Sequence, residues 1–407
     1  MSNVPLNRNQ MAANREQATN RLFLAIVPFL LTFMVQTTRA QTFTVLHDFT
    51  NGKDGGIPFS TLVRDQAGNL YGTTSQGGDI SNCDPSQGCG TVFKISPAGK
   101  ETVLYQFNNT HAGVSPRAGV VRDSAGNLYG TTELGGTSNM GTVFKLEKGG
   151  KETVLYSFTG RTDGGNPLAS VILGADGNLY GTTYIGGDLS CQVGQMNGCG
   201  VVFKLAQTGK LTVLHRFHGT DGANPSGALV RDESGNLYGT TYGGAVGGGT
   251  VFEVNSAGKR TTLHIFRGND GADPIAGLLR DSSGNLYGTT YAGGSAGGGT
   301  VFKVSNTGIE SVLYSFTLGT DGGRPGGSLT RDADGNFYGT TSLGGDLSCN
   351  GGDGCGTVFK LDKAGTETVL HEFKNESDGG FPQTGLLRDA SLRHHARQFP
   401  VHVGISV

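Results

Sequence analysis

The seven residues GNLYGTT at positions 68–74 return from Gly126, Gly177, Gly235 and Gly284, and once more as GNFYGTT from Gly335. Repetition of this kind constrains the fold more tightly than any bulk property. The chain is a tandem array, and each copy builds one structural unit rather than one site. In full the unit reads P-x-x-x-L-V-R-D-x-x-G-N-L-Y-G-T-T-x-x-G-G, then G-T-V-F-K-L, then T-V-L-Y-S-F and D-G-G. It opens at Pro58, Pro116, Pro167, Pro225, Pro274, Pro325 and Pro382, at spacings of 58, 51, 58, 49, 51 and 57 residues. A period of that size is a supersecondary unit, stacked in line or arranged radially.

Each unit holds four strand-like segments. In the first they are Leu62–Asp65, Leu70–Thr74, Thr91–Ile95 and Thr102–Phe107, all short and rich in Val, Leu, Phe, Tyr and Thr. Between the first two lies D-x-x-G-N. Asp65 can bond its own backbone ahead, and Gly68 and Asn69 tolerate positive φ, which together predict a hairpin turn. No segment carries a useful amphipathic helical period. The 71 glycines sit beside β-branched and aromatic residues without a Gly-X-Y period, consistent with many strands joined by tight turns.

Four antiparallel strands and no helix per unit predict an all-β fold, a β-propeller of four-stranded blades. A β-solenoid fits less well, because its coils are usually shorter than ~50 residues. The two ends of the array also match. Thr44–Phe49 (TVLHDF) is a fourth strand with no first three before it, and Leu386–Asp389 (LLRD) is a first strand with little recognisable after it. Joining them in one blade would close the ring and remove exposed edges. The expectation is seven blades, the last closed by both termini; six blades plus a tail is the alternative.

Outside the array the chain changes character. Arg8, Arg15 and Arg21 precede the apolar run Leu22–Val35, which contains Pro28 and is shorter than the about 20 residues of a spanning helix. Thr38-Arg39-Ala40 follows, with small residues where a signal peptidase needs them. Residues 1–40 read as a secretory signal cleaved before Gln41, with an uncleaved membrane anchor as the other reading. Residues 41–389 form the propeller with no membrane span, and 390–407 a divergent tail. After Ala390 the tail reads SLRHHARQFPVHVGISV where the repeat would give SGNLYGTT. Either a frame change or truncation has altered this end, or Phe399–Val407 supplies a divergent strand.

The six cysteines fall in three local pairs, Cys83/Cys89, Cys191/Cys199 and Cys349/Cys355, each bracketing one Gly-rich loop. Pairing within loops is the simplest of 15 connectivities, and the spacing is wrong for zinc. Such disulfides agree with export to the cell envelope or beyond. A net charge of −2 offers no basic footprint for nucleic acid.

The unit P…LVRD..GNLYGTT…GTVFKL…TVLYSF resembles the bacterial Gloeo_Verruco (GloVer) tandem repeat over roughly residues 42–389. Its P-x-G-L-x-x-D-x-x-G-N-L-Y core is more loosely similar to NHL-type propeller repeats. The first resemblance implies export and surface display, often with a C-terminal sorting segment. It implies no catalytic residues.

Up-and-down strand order puts the first-to-second and third-to-fourth turns on one face. The second-to-third loops and the D-G-G-x-P links share the other. From Tyr to the next strand's Phe the distances are 22, 15, 23, 14, 15 and 21 residues, and the three long loops hold the cysteines. A binding surface, if present, belongs on that rim. The links recur with Asp54, Asp163, Asp221, Asp270, Asp321 and Asp378, while the second unit has His111-Ala112-Gly113. These aspartates read first as turn formers and second as a rim of carboxylates able to attract calcium. Arg-Asp pairs such as Arg64-Asp65 and Arg231-Asp232 also read as turn-forming, and the third unit replaces the pair with Leu173-Gly174. His47, His215, His264 and His371 share a fourth-strand position with Tyr105, Tyr156 and Tyr314, which reads as packing rather than metal ligation.

Catalysis needs acids, bases or nucleophiles converging in one asymmetric place. Deviations from the repeat look few and mostly Gly, Ala or Ser. No G-x-S-x-G, H-E-x-x-H or Walker motif occurs, and GGAVGGG is loop composition. The absence of Trp disfavours a sugar-stacking platform, although 12 Tyr could serve. The expectation is an exported, non-catalytic propeller acting as a binding or structural surface module toward a glycan or envelope protein. The alternative is an envelope polysaccharide lyase or hydrolase using the pore mouth. No metal or cofactor is required, calcium at the link aspartates being the one candidate.

Overall fold

A computed structural model describes residues 43–407 apart from 85, 110–111, 194–195, 245–246, 389–400 and 403–407. The signal reading of residues 1–40, His111 and most of the tail therefore lie outside the described residues. No helix among the described residues is long and apolar enough to cross a membrane.

The chain forms six four-stranded antiparallel sheets, each in simple up-and-down order, as blades of a β-propeller. Blade 1 consists of Val63–Arg64, Leu70–Thr74, Thr91–Ile95 and Glu101–Gln106. The pattern repeats over residues 121–157, 172–216, 230–265, 279–315 and 330–372 for blades 2 to 6. The middle strands fall where β-propensity places them. The first strand shrinks to two residues, with Asp65 taken into the hairpin turn by its bonds to Asn69 and Gly68. In every blade the third and fourth strands slip by one residue, in blade 1 between Val92 and Phe93, where Leu104 is extra. Such a bulge strengthens the twist of an outer strand.

Each letter of GNLYGTT has a structural task. In blade 1 Asp65 accepts from the Asn69 backbone N–H (2.9 Å), the Asn69 side-chain amide (2.9 Å) and the Tyr71 hydroxyl (2.9 Å). Asp123, Asp232, Asp281 and Asp332 hold the same bonds in their blades. Of the two residues expected at positive φ, Gly68 has it (86°) and Asn69 does not. Asn69 works through its side chain instead. Where the third unit lacks this Asp, Asp176 stands two residues later and takes over, accepting from Asn178 N (3.2 Å) and Tyr180 Oη (2.6 Å). The Gly of the YGTT run lies under the third-strand phenylalanine, so a Cβ on Gly72 would stand 2.7 Å from the Phe93 ring.

The two threonines face different ways. Thr74 shares a bond with Thr91 (2.9 Å) inside the blade, whereas Thr73 donates to the Ala118 carbonyl (2.8 Å) of the next repeat. Thr131, Thr240, Thr289 and Thr340 make that same reach across the junction. Packing crosses the junctions too. Twelve phenylalanines are almost wholly buried, and the fourth-strand ring of one blade meets the third-strand ring of the next, as in Phe107–Phe144 at 5.2 Å and Phe266–Phe302 at 4.9 Å. Arg231, Arg280 and Arg331 lie over Tyr180, Tyr238 and Tyr287 of the preceding blades at 5.0, 5.6 and 5.3 Å. The Arg and Asp of the repeat thus both serve Tyr, one from each side.

The ends of the array meet this frame. Phe49 approaches Phe93 (4.9 Å) as the fourth-strand phenylalanines do elsewhere, and Phe43 stacks on His371 (4.0 Å). Leu387–Arg388 pairs antiparallel with Val401–His402 in a separate two-stranded sheet, with Arg388 opposite Val401 as Arg64 is opposite Leu70.

Candidate functional site

One cavity of about 350 Å³ is lined by seven short segments, one after each repeat proline, among them Thr61, Gly119, Ser170, Ala228, Gly277, Ser328 and Gly385. Glycine here allows close approach: a Cβ on Gly119 would stand 2.3 Å from the Thr61 carbonyl oxygen. This is the axial channel, with small residues and backbone as walls.

At its mouth the repeat stops being uniform. In each unit the residue before the proline sits at left-handed φ although none is glycine: Ile57, Ser115, Asn166, Asn224, Asp273, Arg324 and Phe381, at 51–59°. Two backbone bonds fix it in the five units from Ser115 to Arg324, while among the described residues Ile57 shows only the second and Phe381 only the first. In the first, the residue's N–H donates to the carbonyl of the preceding blade's second-to-third loop, as Asp273 N does to Gly248 O (2.7 Å). Its carbonyl accepts from the residue just after G-T-T of its own blade, as from Tyr291 N (3.0 Å). Two variable side chains are thereby tied together in every blade: Ile57 with Ser75, Ser115 with Glu133, Asn166 with Tyr184, Asn224 with Tyr242, Asp273 with Tyr291, and Arg324 with Ser342.

Three tyrosines thus stand on consecutive blades 3, 4 and 5. Tyr242 is 38% exposed and shares the channel lining with Tyr184. The acidity of Tyr184 is suppressed by burial, then by Tyr242 and Asp273. Burial also pushes the Asp273 carboxyl up, against the pull of Arg324, whose guanidinium lies 5.2 Å over the Tyr291 ring. Asn224 is wholly buried; its amide donates to the Tyr184 carbonyl (2.8 Å), while its Oδ1 has no hydrogen-bond partner among the described residues. Across the mouth Arg117 pairs with Glu133 (2.8 Å) beside Phe59. One side is therefore rich in phenol, carboxyl, amide and guanidinium groups, and the other carries the Arg117–Glu133 pair among small and apolar residues. Burial and paired charge in one concave place are the usual marks of a binding site.

The residues singled out in the sequence lie farther out. The three cysteine pairs are joined as disulfides, with Cα–Cα distances of 5.6, 5.7 and 5.8 Å for Cys83–Cys89, Cys191–Cys199 and Cys349–Cys355. Cys89, Cys199 and Cys355 are fully buried at the root of their loops. Each link aspartate caps its own turn by accepting a backbone N–H, from Thr50, Thr159, His218, Arg267, Thr317 and Lys374 respectively. Asp54, Asp163, Asp221, Asp270, Asp321 and Asp378 also meet the fourth-strand His or Tyr, at 3.4, 3.0, 2.8, 2.9, 3.0 and 3.1 Å. The expectation that His and Tyr exchange there as packing groups is corrected: what they share is a polar atom at one place, aimed at that carboxylate.

The mouth pairs were missed by sequence reasoning. Deviations are not mostly Gly, Ala or Ser, as the two positions carrying Tyr, Asp, Arg, Asn and Glu show. Aligning the units and reading the columns that differ, next to the two most constant motifs, would have found them.

Four-stranded blades arranged around a channel define a β-propeller. The tandem unit fixes its type. Residues 32–193 and 189–393 match the Gloeobacter/Verrucomicrobia repeat, and the chain belongs to that repeat family. No curated protein matches it. Two structures of the extracellular domain of BT4673 from B. thetaiotaomicron are similar, each at 13% identity over 86% of this chain. The one described as a one component system gives a TM-score of 0.53 and is covered over 40% of its length. The one described as a hybrid two component system gives 0.54 and 38%. This chain spans about two fifths of those domains, and at that identity the likeness is one of fold alone.

Proposed function

We propose that this protein is an exported binding module whose channel mouth holds a polar, ring-bearing ligand such as an envelope glycan. The observation that carries this reading is the side of the mouth formed by Tyr184, Tyr242, Tyr291, Asp273 and Arg324 on an otherwise repetitive scaffold. Phenol rings offer flat apolar faces with a hydroxyl at the edge, and the carboxyl, amide and guanidinium offer directional bonds to hydroxyl groups. Export is supported by the apolar run behind Arg8, Arg15 and Arg21 and by three disulfides, which persist in oxidising compartments.

The same reading includes a seventh blade shared by the two ends. It is supported by seven segments lining the channel, by Phe49 against Phe93, and by the Leu46 carbonyl facing Gly99 just as the Leu104 carbonyl faces Gly150. A second reading, a polysaccharide lyase or hydrolase, rests on Asp273, whose raised pKa suits an acid in a cleft.

The test uses substitutions the repeat already tolerates. Tyr242→Ser copies Ser75 and Ser342 of blades 1 and 6. It is expected to weaken binding of the best ligand in an envelope-glycan panel at least tenfold with the melting temperature unchanged. Equal binding by Tyr242→Ser and the parent chain would remove the mouth as the site. Time-dependent cleavage of a glycan, lost in Asp273→Asn, would replace the binding reading with the enzymatic one.

A further inference from the structure

Every blade junction repeats one arrangement on the outer rim, except that the link after blade 1 carries no Asp. The fourth-strand His or Tyr and the link Asp of one blade face the first residue of the next blade's fourth strand. That residue is Glu101, Glu152, Leu211, Arg260, Glu310 or Glu367 in blades 1 to 6. The junctions differ in that third member. Between blades 2 and 3, the junction of Tyr156 and Asp163, that place is held by Leu211, an apolar and neutral third member. Between blades 4 and 5 a carboxylate takes that place: His264, Asp270 and Glu310 offer donor atoms all within 4.8 Å of one another.

Charge separates that junction from its neighbour. Between the fourth-strand pair His215–Asp221 and Arg260, the guanidinium stands 4.0 Å from the Asp221 carboxylate and supplies the positive charge. With Glu310 in the arginine's place, two carboxylates and an imidazole meet with no side-chain cation in the cluster. Glu310 Oε1 is buried and has no hydrogen-bond partner among the described residues. Burial, then the charge of Asp270, pushes the Glu310 carboxyl up to about 7. His264 Nε2 and Asp270 Oδ2 lie 2.9 Å apart, with side chains 18% and 23% exposed, so an ion has access from solvent.

We propose that His264, Asp270 and Glu310 form a zinc site that staples blade 4 to blade 5. One imidazole nitrogen and two carboxylate oxygens are a donor set that zinc accepts, with bonds of about 2.0–2.2 Å and a fourth position left for water. Donors sharing one such ion stand roughly 3–4 Å apart, so side-chain rotation closes the cluster. The ion supplies at this junction the charge that Arg260 supplies at the one before it. The site is distinct from the channel mouth and would be structural, since metal that binds only the folded chain stabilises it.

The repeat provides variants that keep the fold. His264→Tyr copies Tyr156 and Tyr314, and Glu310→Leu copies Leu211. The chelator-treated chain is titrated with zinc chloride by calorimetry, and its melting temperature is followed with and without zinc. The expected result is a tight equivalent of zinc that raises the melting temperature and is lost or weakened at least tenfold in each variant, while Glu101→Gln keeps it. Zinc binding of the parent strength in His264→Tyr and Glu310→Leu would place the metal elsewhere, for instance at the surface pair His218–Asp188, and overturn the proposal. Absence of any zinc-dependent rise in melting temperature would overturn it equally.

Discussion

Buried glutamates at the start of three fourth strands set how the fold responds to pH. Burial alone pushes the Glu152 carboxyl up to about 7, and burial followed by a nearby aspartate does the same for Glu310 and Glu367. A carboxyl with a folded pKa above its unfolded value near 4.5 holds its proton more firmly in the fold. Its contribution to stability is complete below about pH 4.5 and disappears as pH rises through 7. The turn aspartates run the other way. Burial opposes the charge on Asp65, but bonds from Asn69 and Tyr71 outweigh it and hold the pKa below the usual range, so their contribution fails only as pH falls below about 4. Between the two windows the glutamates dominate. Chelated protein is expected to lose stability from pH 4.5 to 7, and Glu152→Gln to match it at pH 4.5 but exceed it at pH 8. Denaturant midpoints at the two pH values check this, and parallel curves for both proteins would rule out Glu152 as the titrating group.

At the scale of elements, the hairpins and middle strands were legible because their signals are local. Enrichment in Val, Phe and Thr marked Thr91–Ile95, and D-x-x-G-N marked the turn before Leu70–Thr74. The first strand read two residues too long, since burial toward the axis looks like strand propensity in Leu62–Asp65. What a single unit could not reveal was which atoms cross to its neighbour: Thr73 to the next repeat, Arg231 over Tyr180, or Glu310 beside His264 and Asp270. Those depend on blade spacing, which no one repeat encodes. The mouth was hidden for a related reason, because attention went to what the units share. The cysteine loops are separate elements with their own energetics. Each disulfide closes a loop with a sequence separation of 6 or 8 residues. Replacing both members of the Cys191–Cys199 pair by Ser is expected to cost about 2 kcal/mol by chain entropy. Chemical denaturation reads this directly, and a change within the noise would mean that the unfolded chain is scarcely restrained by the link.

For the molecule as a whole, closure is the question that matters. Threonine bonds, arginine–tyrosine contacts and phenylalanine pairs all run from one blade to the next, so a blade at an open end would lack half its support. If residues 43–49 complete the ring, Phe49→Ala should lower stability by about 2–4 kcal/mol, as removal of a packed aromatic does, with one cooperative transition retained. If the segment merely lies on the surface, the change should stay within about 0.5 kcal/mol. Differential scanning calorimetry distinguishes the two.

The left-handed residues before the prolines have a consequence for how such a protein can change. Their backbone is held by main-chain bonds and by the proline that follows, with the side chains of Asn166 and Asn224 adding bonds to the Glu133 and Tyr184 carbonyls. Within this one chain the position already carries Ile, Ser, Asn, Asp, Arg and Phe. The architecture therefore behaves like a pegboard around a hole: pegs can be exchanged one blade at a time without disturbing the board. A lineage of these proteins could move from one ligand to another by substitutions at a dozen or so paired positions while the scaffold stays in place.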